Sequence, residues 1–121
     1  MKGNKKMHEL GIALQIVRIA VKAIPEDARQ ARVEKVHVNV GKLSAVVPDS
    51  LTFCFGFATR ETPLEGARLV IREIPAKARC RVCSHEWAID GFVFACPDCG
   101  GGDMEIVSGR ELDVESIEIA E

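Results

Sequence analysis

The chain carries almost no net charge. Sixteen lysines and arginines stand against eighteen aspartates and glutamates, a formal −2 over 121 residues. A phosphate-backbone partner calls for an excess of cations, so the balance argues against nucleic acid. Long apolar runs are missing too, and nothing approaches the ~18 residues that cross a bilayer. The opening Lys2–Lys6 stretch is basic, but no signal peptide follows, because Gln15, Arg18 and Lys22 interrupt the apolar positions at helical spacing. Internal repeats and low-complexity tracts are absent. These absences point to a soluble, cytoplasmic protein with reduced thiols. The apolar content of 47% is ordinary for a globular chain. The length holds one modest domain plus a small appendage.

Cysteine is where the composition becomes specific. Four of the five cysteines form two pairs, Cys80-x-x-Cys83 and Cys96-x-x-Cys99, twelve residues apart. Each pair bends into a tight knuckle with two thiolates, and the connector is long enough for a hairpin that sets one knuckle opposite the other. Zinc is the expected ion, since soft thiolates in a tetrahedron suit it. Iron ranks next, because Cys96-Pro97-Asp98-Cys99-Gly100 reads like a rubredoxin knuckle. Two disulfides rank last, given the odd cysteine count and nothing that directs the chain to an oxidising compartment. Four thiolates close the coordination sphere, so the metal holds structure and performs no chemistry. The cage with Zn²⁺ carries a charge of about −2. Lys77, Arg79 and Arg81 either offset that charge or are solvated.

The rest of the chain reads as α+β. Leu10, Ala13, Leu14, Val17, Val21 and Ile24 recur at three- and four-residue steps and predict a helix from His8 to Ile24, ended by Pro25. Ile12, Ile16 and Ile19 widen its stripe, enough to pack on a sheet and on a partner as well, which leaves room for a homodimer. Val36, Val38 and Val40 alternate with Lys35, His37 and Asn39, the pattern of a strand ending at Gly41. Pro48–Thr62 alternates like a strand and pairs like a helix; Pro48-Asp49-Ser50 favours the helix. A second strand spans Ala67–Ile74 and a third Glu111–Ile119, with a bulge near Ser116 where the apolar parity changes. Two helices therefore lie on a three-stranded sheet. A four-cysteine zinc-ribbon-like module, 77–107, is inserted into a domain made of 1–76 and 108–121. About thirty residues cannot fold unaided, and metal binding supplies the missing free energy. Trp87, Ile89, Phe92 and Phe94 form a small core behind the metal; a base-stacking face is the less favoured use of them.

Met7-His8-Glu9-Leu10 opens the first helix, where Glu9 suits the macrodipole and His8 is solvated. The motif has company: Val38-Asn39-Val40-Gly41-Lys42-Leu43-Ser44, Phe53-x-Phe55, Leu64-Glu65-Gly66-Ala67, the two cysteine pairs, and Ser108-Gly109-Arg110-Glu111-Leu112. In order and spacing, from Met7 onward, the chain resembles the HypA/HybF family of hydrogenase nickel-incorporation proteins. The resemblance implies a metallochaperone, not an enzyme. It implies Ni²⁺ carried to the [NiFe]-hydrogenase large subunit with the GTPase HypB, and in some members service to urease. Carried over, His8 and Glu9 fall on the nickel motif, and Cys80, Cys83, Cys96 and Cys99 on the zinc motif. Imidazole suits Ni²⁺, and an open site near a chain end can release its ion. The family usually begins at the Met of Met-His-Glu, whose free amine helps bind nickel. Here Met1–Lys6 precede it, so the nitrogen of Met7 is an amide.

Two rival readings remain at this stage: a zinc-ribbon nucleic-acid-binding protein and a rubredoxin-like electron carrier. Of the other candidates, His85 is either a neighbour of the metal or a plain exposed histidine. His37 faces solvent, and Cys54 is a buried small hydrophobe.

Overall fold

The computed structural model describes residues 4–28, 30–89 and 95–120. Helix α1 runs Asn4–Ala23, starting four residues before the expected His8 because Lys5 and Lys6 are good helix formers. It ends ahead of Pro25, whose ring disfavours helical backbone at Ile24. The face it buries differs from the expected stripe. Leu10, Leu14 and Val21 are 37%, 45% and 37% exposed, whereas Glu9, Ala13, Ile16, Val17 and Ala20 are buried. Large apolar side chains draw the eye in a sequence. Here Ala13 and Ala20 let α1 approach α2 closely, so the contact face runs through the small residues.

Strand β1, Val33–Gly41, follows the alternation read from the sequence: Val36, Val38 and Val40 are buried. Helix α2, Pro48–Ala58, has Pro48 in its first turn and closes at Thr59, whose N–H donates to the Phe55 carbonyl. It buries Leu51, Cys54, Phe55 and Ala58 and leaves Phe53 and Phe57 exposed, edge to face. Period 3.6 thus prevails over the strand-like alternation of the phenylalanines.

Strands β2 (Arg68–Ile74) and β6 (Leu112–Ile119) flank β1 in the sheet order β2-β1-β6. Along β6 the less exposed positions are Val114, Ile117 and Ile119, so the parity does change around Ser116. A second sheet, order β4-β3-β5, is built from β3 (Lys77–Cys80), β4 (Glu86–Ala88) and β5 (Met104–Ser108). Both of its pairings are antiparallel, with an irregularity in β3–β5 between Lys77 and Ala78. The architecture is α+β: two helices, two three-stranded sheets and a cysteine cluster.

The chain divides into two compact units. One comprises Met1–Asn39, Val46–Arg72 and Asp113–Glu121; the other comprises Val40–Ala45 and Glu73–Leu112. Inside the second, Gly41 donates to the Glu111 carbonyl at 2.7 Å and Leu43 to the Gly109 carbonyl at 2.7 Å. A Cβ on Gly41 would stand 2.0 Å from the Gly109 oxygen, so only glycine fits that crossing.

Candidate metal centre

The two cysteine pairs adopt matching turns. In the first, the Ser84 N–H donates to the Cys80 carbonyl (3.0 Å), and the Val82 N–H points at the Cys80 sulfur (3.4 Å). In the second, the Gly100 N–H donates to the Cys96 carbonyl (2.8 Å), and the Cys99 N–H points at the Cys96 sulfur (3.5 Å). Each turn exits through left-handed backbone, at φ 65° for Ser84 and 73° for Gly100. Glycine takes that conformation freely, while serine there costs about 1 kcal/mol. Strand β3 delivers Cys80 into its knuckle. The Cys80 N–H is held by the His85 carbonyl and the Arg81 N–H by the Asp103 carbonyl, each at 2.9 Å.

All four sulfurs lie within 4.8 Å of one another, with Cys80–Cys99 at 3.5 Å and Cys83–Cys96 at 3.6 Å. None of the five cysteines is in a disulfide, and the convergence of all four sulfurs on one point favours a metal over two disulfides. A tetrahedron with metal–sulfur bonds of ~2.3 Å has edges near ~3.8 Å, so these sulfurs stand ready to receive such an ion. Among the described residues no other group of three or more metal-ligating side chains converges.

Electrostatics agree. Cys80 falls from the ordinary 9.0 to about 7, first through the Cys83 N–H and then through that of Val82. Cys83 goes the other way, to about 12. The His85 N–H pulls it down, but burial and the Cys96, Cys80 and Cys99 sulfurs outweigh that. Cys99 is also raised: the Gly101 N–H lowers it, and Cys80 and Cys96 override. One thiolate forms easily and its neighbours then resist ionising, because negative charges crowd a small volume. A divalent cation relieves that conflict. The donor set therefore fits the expected zinc.

The surrounding groups depart from expectation. Arg79 bonds Glu86 (2.9 Å) and Glu105 (3.2 Å), and Arg81 pairs with Asp103 (3.3 Å), so these cations serve carboxylates and not the cage. His85 is exposed, with its ring nearly parallel to Trp87 at 6.2 Å. It reaches the cysteines through its backbone. Trp87 and Ile89 are half-buried; Phe92 and Phe94 lie outside the described residues.

At the other candidate site, His8 is exposed on α1. Glu9 is not at the helix terminus: α1 begins at Asn4, and its first turn holds no acid. Its side chain is fully buried, and its Oε2 accepts the Val47 N–H at 2.7 Å. The two side chains therefore leave the helix in different directions. Nothing near Glu9 in the chain announced Val47, which is 38 residues away. His37 is likewise not simply solvated, since its Nε2 pairs with Glu118. Cys54 is buried, as expected.

Comparison with known proteins places this geometry. The sequence model of a family described as hydrogenase/urease nickel incorporation, metallochaperone, hypA matches residues 7–119. A hydrogenase maturation factor HypA from Desulfosudis oleivorans is 58% identical over 115 residues, 95% of this chain and 100% of that protein. Its counterpart in Desulfatibacillum aliphaticivorans is 50% identical, over 95% and 88% of the two chains. Among solved structures, a HypA protein in solution superposes with a TM-score of 0.69 at 23% identity, covering 94% of this chain and 97% of that one. The nickel metallochaperone HypA from Helicobacter pylori gives 0.57 at 23% identity, covering 88% and 95%, and supports the fold. The chain, with its four-cysteine metal site, belongs to the HypA family of nickel-incorporation metallochaperones for hydrogenase.

Proposed function

We propose that the protein binds Ni²⁺ at the His8–Glu9 motif and passes it to the [NiFe]-hydrogenase large subunit, working with the GTPase HypB. The observation that carries this reading is the family match itself. It begins at Met7, so the exposed His8 stands second in the matched segment. An exposed imidazole is open to an incoming ion and to its withdrawal by a partner. The protein is a carrier and not an enzyme. It works in the cytoplasm, and no described helix is long and apolar enough to cross a membrane. Helix α1 leaves Leu14 and Ile19 exposed, which suits a homodimer or another protein partner.

Cys80, Cys83, Cys96 and Cys99 hold zinc, which supplies cross-linking alone. Functionally, 77–107 is the zinc-binding insertion, and 1–76 with 108–121 the nickel-binding domain. Pairing of Arg79 and Arg81 with acids leaves little for a nucleic-acid backbone, which disfavours the zinc-ribbon rival.

Calorimetric titration of Ni²⁺ into the zinc-loaded protein and into His8→Ala tests the reading. The wild type takes up nickel, and the variant loses that site while keeping its zinc. Equal binding by both, or normal nickel insertion in cells carrying only His8→Ala, overturns it.

A further inference from the structure

A nickel motif that contains a carboxylate invites the view that the carboxylate ligates. The surroundings of Glu9 argue otherwise. Its side chain is completely buried, whereas His8 is exposed. Adjacent side chains on an α-helix do not face each other, so the two cannot converge on one ion while α1 stands. Oε2 is already engaged at 2.7 Å by the Val47 N–H. Oε1 is buried with no hydrogen-bond partner among the described residues.

Val47 is the N-cap of α2 and makes no side-chain capping bond; its backbone is extended, at φ −90° and ψ 114°. Pro48 follows and has no N–H. The start of α2 thus presents few donors, and Glu9 answers one of them from another helix. The positive end of α2 in turn suits an acceptor oxygen beside it.

We infer that Glu9 is a positioning residue: its buried carboxylate pins α1 to Val47, the N-cap of α2, and this pin fixes the point beyond which α1 does not unwind. The inference rests on the nickel reading only for its metal readout. Since α1 begins at Asn4, the His8 amide lies within the helical ladder. Backbone nitrogens become available to nickel only when the turn before Glu9 opens. The pin lets that turn, His8 included, open while the helix from Glu9 onward stays docked on α2.

The test uses Glu9→Gln, Glu9→Ala and Val47→Pro in the full chain. Glutamine keeps a carbonyl that can accept from Val47. Proline removes the donor with a change of about 25° from the Val47 φ of −90° and leaves the carboxylate untouched. Nickel titration, the nickel visible absorption spectrum and amide exchange along α1 are read together. With a pin, Glu9→Gln stays within about threefold of wild type, while Glu9→Ala and Val47→Pro both weaken nickel about tenfold and speed exchange in α1 by a similar factor. The spectrum keeps its band positions throughout. If Glu9→Gln is as impaired as Glu9→Ala with shifted bands, and Val47→Pro matches wild type, Glu9 is a ligand and the pin is wrong. If the wild type takes up no nickel, the nickel reading fails. Exchange then still decides: a faster α1 in Glu9→Ala and Val47→Pro upholds the pin, and an unchanged α1 removes it.

Discussion

The fully buried side chains of the two units differ in kind. The helical unit encloses Leu51, Leu64, Val36 and Val38, with Ile16, Val17 and Phe55 nearly as deep. In the cysteine unit, the buried apolar residues among those described are Val40, Ala76, Ala78, Cys80 and Cys96. A buried leucine or valine stabilises by roughly 1.5–3 kcal/mol, an alanine by far less. Two of the five buried residues in the cysteine unit are themselves metal-site thiols. Among the described residues, one unit is held by packing, and the other has two of its deepest side chains, Cys80 and Cys96, at the four-cysteine site. They should therefore fail under different insults.

Metal removal gives the largest expected effect. A structural zinc is worth on the order of 10–16 kcal/mol in small zinc modules. Chelation, or Cys96→Ala, should abolish amide protection in β3, β4 and β5 while the helical circular dichroism of α1 and α2 persists. Survival of the β4-β3-β5 sheet without metal would show that the unit has a sufficient core of its own. The converse experiment is Leu51→Ala, which empties a fully buried site in α2. A loss of about 2–5 kcal/mol should appear in the urea midpoint of the helical unit with the metal still bound.

Acid sharpens the contrast further. Without metal, Cys80 at about 7 favours the folded unit above the ordinary 9.0, and that contribution fades as pH falls through 7. Cys83 at about 12 acts in reverse, favouring the fold below 9.0 and losing that effect as pH rises toward 12. To ligate a metal, Cys83 and Cys99 must give up protons they hold tightly. Metal affinity should therefore fall by about tenfold or more for each unit of acidification near neutrality. A competition titration with a chromophoric chelator at several pH values reads this directly. The same pH change should leave the helical unit's urea midpoint unmoved.

His37→Gln should have the smallest effect. Glu118 is held below its ordinary 4.5, chiefly by the hydrogen bond from His37 and secondarily by Lys35. A depressed carboxyl stabilises the fold above 4.5 and loses that contribution as pH falls through its lowered value. Both partners are partly exposed, so the midpoint at neutral pH should scarcely move. An NMR titration should find Glu118 shifted upward in the variant; an unchanged Glu118 would mean that the pair contributes nothing in solution.

Local features were readable in advance. The cysteine spacing foretold the paired knuckles, because a Cys-x-x-Cys turn is closed by bonds within five residues, as Ser84 N–H to Cys80 and Gly100 N–H to Cys96 show. The alternation of Val36, Val38 and Val40 foretold β1, and Pro48 foretold the start of α2. The burial of Glu9 was not readable. A carboxylate at a helical position reads as solvated until a donor 38 residues away is known. The exposed leucines of α1 misled for a related reason: periodicity marks two adjoining faces, and only the partner selects one. Arg79, placed beside the cage by sequence, takes Glu86 and Glu105 from strands that pairing brings alongside, and Arg81 takes Asp103 from just ahead of β5.

By itself the sequence determined the elements whose causes are short in range: helix periods, strand alternation, proline stops and the four-thiolate donor set. It also carries the family's motifs from Met7 onward. Tertiary structure alone decided which face of α1 is buried, that Glu9 answers Val47 and that His37 answers Glu118. Hydrogen-bond partners and packing faces depend on atoms brought together from distant positions. For Glu9, burial makes a partner matter by penalising a polar group left without one once water is excluded; for the partly exposed His37 and Glu118, strand pairing alone brings the two together.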